Sequence, residues 1–221
     1  YDDRQGNMQA DMSGLNIDLS GDMTESLTRL SVQSDIQAVS FIMDKIPYLN
    51  KARFNADVKL DADLDQMKFT FTDNQFKLNA IEMSFEGWLA MLENGLDMDI
   101  TLKTPDTDFK HILSLIPAIY AKEFESLKTG GNVNVSGFAK GVYNDTSMPA
   151  FDFKMQVSDA WFKYPSLPKS VEKIAIDAQA SSPGGDLDLT RVDVRKFHFE
   201  VDQNPFDLKL TLTHPVSDPA F

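Results

Sequence analysis

Three histidines, a run of alternating aspartates and a few glycine clusters are the places where this 221-residue chain could hold chemistry. His111 falls in a segment of helical spacing, His198 between Phe197 and Phe199, and His214 before Pro215. None has a second histidine at ligand spacing, so each reads as a structural or surface residue. Asp61-x-Asp63-x-Asp65 imitates the start of a calcium loop. Gln66, however, stands where such a loop needs glycine, and Thr72 where it needs a bidentate glutamate. Gly130-Gly131 and Gly137…Gly141 match no phosphate loop, and no GxSxG or HExxH occurs. With no cysteine there is no disulfide, thiolate metal site or thiol nucleophile. The residues therefore predict no catalysis, metal or cofactor.

What the chain does carry is an apolar parity rich in phenylalanine and methionine. Phe69, Phe71, Phe76, Met83, Phe85, Met98, Phe151, Phe153, Met155, Phe199, Leu208 and Leu210 are the candidate contacts for an apolar ligand. Methionine is the adaptable side chain of permissive apolar sites, and aromatic rings offer large contact area.

The elements that position these residues follow from strict alternation. Phe54, Ala56, Val58, Leu60, Ala62 and Leu64 interleave with Asn55, Asp57, Lys59, Asp61, Asp63 and Asp65. That is a period of two, with one greasy and one solvated face, as in half-buried antiparallel strands. The pattern returns at Leu15/Ile17/Leu19, Leu96/Met98/Ile100/Leu102, Phe151/Phe153/Met155/Val157 and Phe206/Leu208/Leu210/Leu212, and in shorter form at Leu187/Leu189. Asp73-Asn74, Asn144-Asp145, Ser158-Asp159, Pro183-Gly184-Gly185-Asp186 and Asn204-Pro205 read as turns. Phe109, Ile112, Leu113 and Ile116 instead take helical spacing, predicting a main helix around residues 108–127 with Asp106 or Thr107 as its cap. Val39 to Leu49 is a second, weaker helical candidate.

The prediction is a single mainly β domain over residues 1–221, with about a dozen strands and one or two helices. A faint echo relates residues 52–105 to 172–215, through Leu96–Pro105 and Phe206–Pro215. Two sheets that bury each other are the commoner outcome of such alternation, and the same alternation is required by one long, strongly curved antiparallel sheet, groove-like or an open sandwich.

The charge of −13 comes from 34 acidic and 21 basic residues, and 26 of the acids are aspartates, which suit turns and strand surfaces better than helices. Such a balance repels nucleic acid and anionic bilayer surfaces. No apolar run reaches the ~20 residues that span a bilayer. The hydrophilic opening Tyr1-Asp2-Asp3-Arg4-Gln5-Gly6 reads as part of a longer protein.

From about Asn74 onward the chain resembles the AsmA-like family of bacterial envelope proteins. The resemblance is carried by Asn74-Gln75-Phe76-Lys77-Leu78-Asn79 with Phe85-Glu86-Gly87, by Thr104-Pro105-Asp106-Thr107-Asp108-Phe109-Lys110, and by Lys128-Thr129-Gly130-Gly131. It continues in Met148-Pro149-Ala150-Phe151, Phe162-Lys163-Tyr164-Pro165-Ser166-Leu167-Pro168-Lys169-Ser170, Asn204-Pro205-Phe206 and Pro215-Val216-Ser217-Asp218-Pro219. It implies a periplasmic, non-enzymatic protein held in the inner membrane by an N-terminal helix outside this sequence. It further implies a curved β-groove that binds or guides phospholipid acyl chains between the inner and outer membranes. The alternative is a structural or interaction module that supports outer-membrane protein assembly, with a closed core and no ligand. Envelope proteins are the other expected partners.

Overall fold

The computed structural model of the protein describes residues 2–3, 8–24, 27–43, 46–105, 107–113, 126–165 and 168–221. The alternating segments form thirteen strands. These are β1 (Asp2–Asp3), β2 (Met8–Met23), β3 (Leu27–Met43), β4 (Ile46–Asp63), β5 (Lys68–Leu78), β6 (Ile81–Leu92) and β7 (Gly95–Lys103). They continue as β8 (Thr107–Asp108), β9 (Lys128–Tyr143), β10 (Ala150–Lys163), β11 (Val171–Ser182), β12 (Arg191–Val201) and β13 (Asn204–Thr213). All belong to one antiparallel sheet whose order follows the chain, β1 to β7 and then β9 to β13, with the two-residue β8 set beside β9. The fold is thus mainly β, and among the described residues the two facing sheets that periodicity also permitted are not formed. Every extensive contact between described elements joins ladder neighbours or comes from a single short helix, α1 (Phe109–Leu113). The exposed area agrees: 14325 Å² for 24.8 kDa, where a compact chain of that mass would show about 10,000 Å².

Of the two helical expectations, one is met where the residues are described and the other needs correction. Within the predicted helix 108–127, Phe109–Leu113 is α-helical and 114–125 lie outside the described residues. Its first turn is capped by Asp108, whose Oδ1 accepts the Lys110 N–H at 2.8 Å, while Thr107 sits in β8. In the candidate from Val39 to Leu49 the described residues are strand, the end of β3 and the start of β4, and 44–45 lie outside them. Ladder shifts between Ile36 and Val39, and again between Val39 and Phe41, break the alternation there and leave apolar residues three apart. A three-residue step imitates a helical face.

The same physics corrects three turns. Asp73-Asn74 and Ser158-Asp159 lie inside β5 and β10 as bulges, with register lost between Phe71 and Asn74 and between Val157 and Ala160. Asp159 takes the left-handed φ of 52° that the short polar side chain tolerates. The last hairpin turns at Asp202 and Gln203, both at positive φ, one step before Asn204-Pro205. Leu187–Leu189, expected as strand, is a 3₁₀ turn. The segments of the internal echo are not equivalent in pairing: Phe85 stands opposite Leu102, whereas Phe199 stands opposite Phe206.

Bulges bend strands and increase their twist. Here they recur in β3, β5, β10 and β12, and β6 adds a kink at Gly87. Gly87 holds a φ of +129°, and a Cβ there would sit 1.9 Å from the Asp99 carbonyl oxygen, so only glycine fits. The sheet that results is curved and open at both edges among the described residues. β13 is blunted by Pro205 and by the Thr213–Ala220 bridge, whereas most of β2 meets no described strand on its outer side.

Candidate functional site: an open apolar face with one closed end

Residues directly opposite each other in a ladder share a face. Following the registers from strand to strand gives the row Leu30–Leu60–Phe71–Gly87–Ile100–Ala139–Phe151. Beside it runs Asn74–Phe85–Leu102–Gly137–Phe153–Ala180–Val192–Leu212. The outer flanks add Ala62–Phe69–Leu89–Met98 on one side and Val135–Met155–Ala178–Val194–Leu210 on the other. Phe76 and Met83 pair in β5 and β6, and Phe197–Leu208 and Phe199–Phe206 pair in the last hairpin. All twelve residues singled out from the sequence therefore stand on one face of one sheet.

The bulges are what keep that face continuous. Phe71 and Phe76 are five residues apart and would point to opposite sides of a regular strand. The extra residue at Thr72–Asp73 returns them to the same side, where each ring meets Phe85, at 5.5 and 5.8 Å between centroids. In β12 the bulge between Val194 and Phe197 does the same, and Phe199 stacks on Phe206 at 4.9 Å. Ile100, Leu102 and Phe197 share the face and were missed, although alternation marked their strands, because the selection followed mainly phenylalanine and methionine.

Coverage of the face is uneven. Near the start of β9, α1 and Leu127 bury Phe109, Leu113, Val133, Val157, Ala160 and Ile174 together, and Met155 and Phe199 pack against that cluster. This end is closed. Across β4 to β7 and β12 to β13 no described element lies over the rings. Of the twelve candidates none is fully buried, eleven are half-buried and Leu208 is exposed. From β2 to β13 the sheet makes ten strand steps, roughly 48 Å at the usual spacing.

The opposite face is wet and charged. Lys140 meets Asp99 at 2.7 Å, Arg29 meets Asp61 at 2.9 Å, and Arg195 meets Asp177 at 2.6 Å. His198 lies here too, its Nδ1 2.8 Å from Asp207. A hollow of about 630 Å³ opens among Gln33, Asn55, Asp57, Gln75, Lys77 and Lys103. Most of its lining residues belong to the wet parity, and Ala56, Phe76 and Met83 of the apolar parity border it as well. Among the described residues no group of His, Asp and Glu gathers to hold a metal, and no helix is long and apolar enough to cross a membrane.

Three wet-side carboxyls tie down the last strands. A hydrogen bond from Arg195 holds Asp177 below the ordinary carboxylate range, and Arg191 with Thr211 does the same for Asp193. Asp188 is lowered by the Ser217 hydroxyl and by the Ser217 and Val216 N–H groups, which donate to it from the C-terminal tail. A carboxyl with a lowered folded pKa stabilises at neutral pH, and that contribution is lost as pH falls through the lowered value. We expect the Val216 and Ser217 amides to lose hydrogen-exchange protection, after correction for intrinsic rates, as pH drops below the unperturbed aspartate value of about 3.9. In Asp188→Asn that protection should already be weak at pH 7 and nearly independent of pH.

Fold and site define a class: a single open antiparallel sheet with one apolar face, closed at one end by a short helix. Comparison with protein-family profiles, curated proteins and solved structures returns no match, so the AsmA-like resemblance stands on the sequence motifs alone.

Proposed function

We propose that this chain binds acyl chains of phospholipid on its apolar face without catalysing a reaction, as the periplasmic part of an AsmA-like protein held at the inner membrane. In that setting it guides lipid between the inner and outer membranes. One observation carries the reading: an apolar face continuous over successive ladders and, among the described residues, left uncovered over most of its width. Each CH₂ taken from water is worth ~0.8 kcal/mol, so a sixteen-carbon chain sheltered on one side gains about 6 kcal/mol. Contacts repeated from strand to strand give many similar positions, which favours sliding over a single deep site.

The test is face-selective. A photo-crosslinking residue at Phe71 or Phe153 should label co-purified lipid, and one at Thr70 or Lys154, the adjacent wet-side positions, should label severalfold less. Native mass spectrometry of the gently purified protein should show the lipid itself. Equal labelling from both faces overturns the proposal. Recovery of an envelope protein with no lipid on either face would favour the interaction module.

A further inference from the structure

The apolar face contains a polar side chain that the fold only half explains. Asn74 is fully buried, at 0% exposure, and stands opposite Phe85, between Phe71 and Phe76 of its own strand. Its Oδ1 has a structural task. Register is lost between Asp57 and Leu60 of β4, and Oδ1 accepts the Lys59 N–H there at 2.6 Å. Its Nδ2 has none: two protons, buried, with no acceptor. An unmet buried donor is costly, and an apolar residue could fill the same position without that cost. Among the described residues the other orphaned buried side-chain atoms are hydroxyls of Thr28, Thr129 and Thr190, single rotatable donors that also accept.

We propose that Asn74 is the point that registers a bound amphiphile on the face, its Nδ2–H donating to the carbonyl oxygen of an acyl ester or carboxyl group. The chain attached to that carbonyl then lies over the neighbouring phenylalanines. The inference rests on the acyl-binding reading and gives it a polar address. Access needs no backbone movement: α1 packs on β8 and β9, away from this site, and Phe71, Phe76 and Phe85 are half-exposed rings that can change rotamer.

The experiment uses the whole chain and three probes of similar length: methyl laurate, lauric acid and dodecane. The side-chain ¹⁵N–¹H₂ resonance of Asn74 should shift on adding a carbonyl-bearing probe and stay in place with dodecane. A shift with the ester alone assigns the site to esterified lipid, and a shift with the acid alone assigns it to free fatty acid. Asn74→Asp keeps the acceptor that Lys59 needs and removes the donor, and Asn74→Leu removes both. Either variant should bind the carbonyl probe about tenfold more weakly, with dodecane affinity unchanged. If neither variant folds, the wild-type resonance decides alone. Binding of all probes with no Asn74 shift, as when a buried water satisfies Nδ2, overturns this inference and leaves acyl binding standing. Failure of every probe to bind, dodecane included, overturns the acyl-binding reading itself.

Discussion

Phe109→Ala should destabilise the protein by about 3–5 kcal/mol, whereas Phe71→Ala should cost only about 1 kcal/mol. Both remove the same ring, and the difference lies in what surrounds it. α1 has five residues, too few to be helical alone, so it persists only by burying Phe109 and Leu113 against Val133, Val157, Ala160 and Ile174. Phe109 is 7% exposed, and its removal leaves a cavity between helix and sheet. Phe71 is half-buried on the open face, where lost contacts are partly replaced by water and no enclosed void forms. Urea unfolding reads both: the midpoint should fall steeply for Phe109→Ala and slightly for Phe71→Ala, with similar slopes. Equal losses would mean that the face over Phe71 is as covered as the end beneath α1.

How much of this was legible follows from what a period of two can encode. Alternation identified the strands and the greasy parity of each, because side-chain direction is fixed by the backbone and needs no partner. It could not state that Phe71, Phe85 and Phe153 belong to one surface, since that depends on ladder registers. It also misread the bulges. Asn74 and Asp159 look like turn residues because a bulge asks for the same tolerance of irregular backbone, and the broken alternation after Ile36 looks helical because the parity changes within the strand. Leu113 and Phe109 were read correctly as one helical face, but nothing local says that this face closes one end of a sheet. Asn74 went unnoticed as a buried group for the same reason: a polar residue at a break in alternation has an ordinary solvated explanation until its neighbours are known.

A charge placed on the open face should weaken lipid retention while leaving the fold intact, and two charges should all but abolish it. Met98 is half-buried, opposite Leu89 on one side and Gly141 on the other. A Cβ at Gly141 would find only the Pro149 Cα, 3.9 Å away, so there is room for a longer polar side chain to turn toward water. Met98→Glu should therefore cost about 1 kcal/mol or less of stability in the free protein, within the range of a partly exposed substitution. An acyl chain lying over that carboxylate would strip its water without offering a hydrogen bond, a penalty of several kcal/mol. A single charge leaves other rows of the face available, so the ligand shifts and loses about tenfold in occupancy. Leu210→Glu, on β13 and still on the same face, removes the rows on the far side, and the double variant should retain almost no lipid by native mass spectrometry. Ser136→Glu, on β9 and exposed on the wet side opposite Lys103 and Lys154, is the matched control and should change nothing. Circular dichroism of all four proteins separates loss of ligand from loss of fold. Lipid kept by a folded double variant would place the acyl chain somewhere other than this face. Loss of lipid that is additive rather than cooperative between the two charges would indicate two fixed sites in place of a surface along which the chain can move.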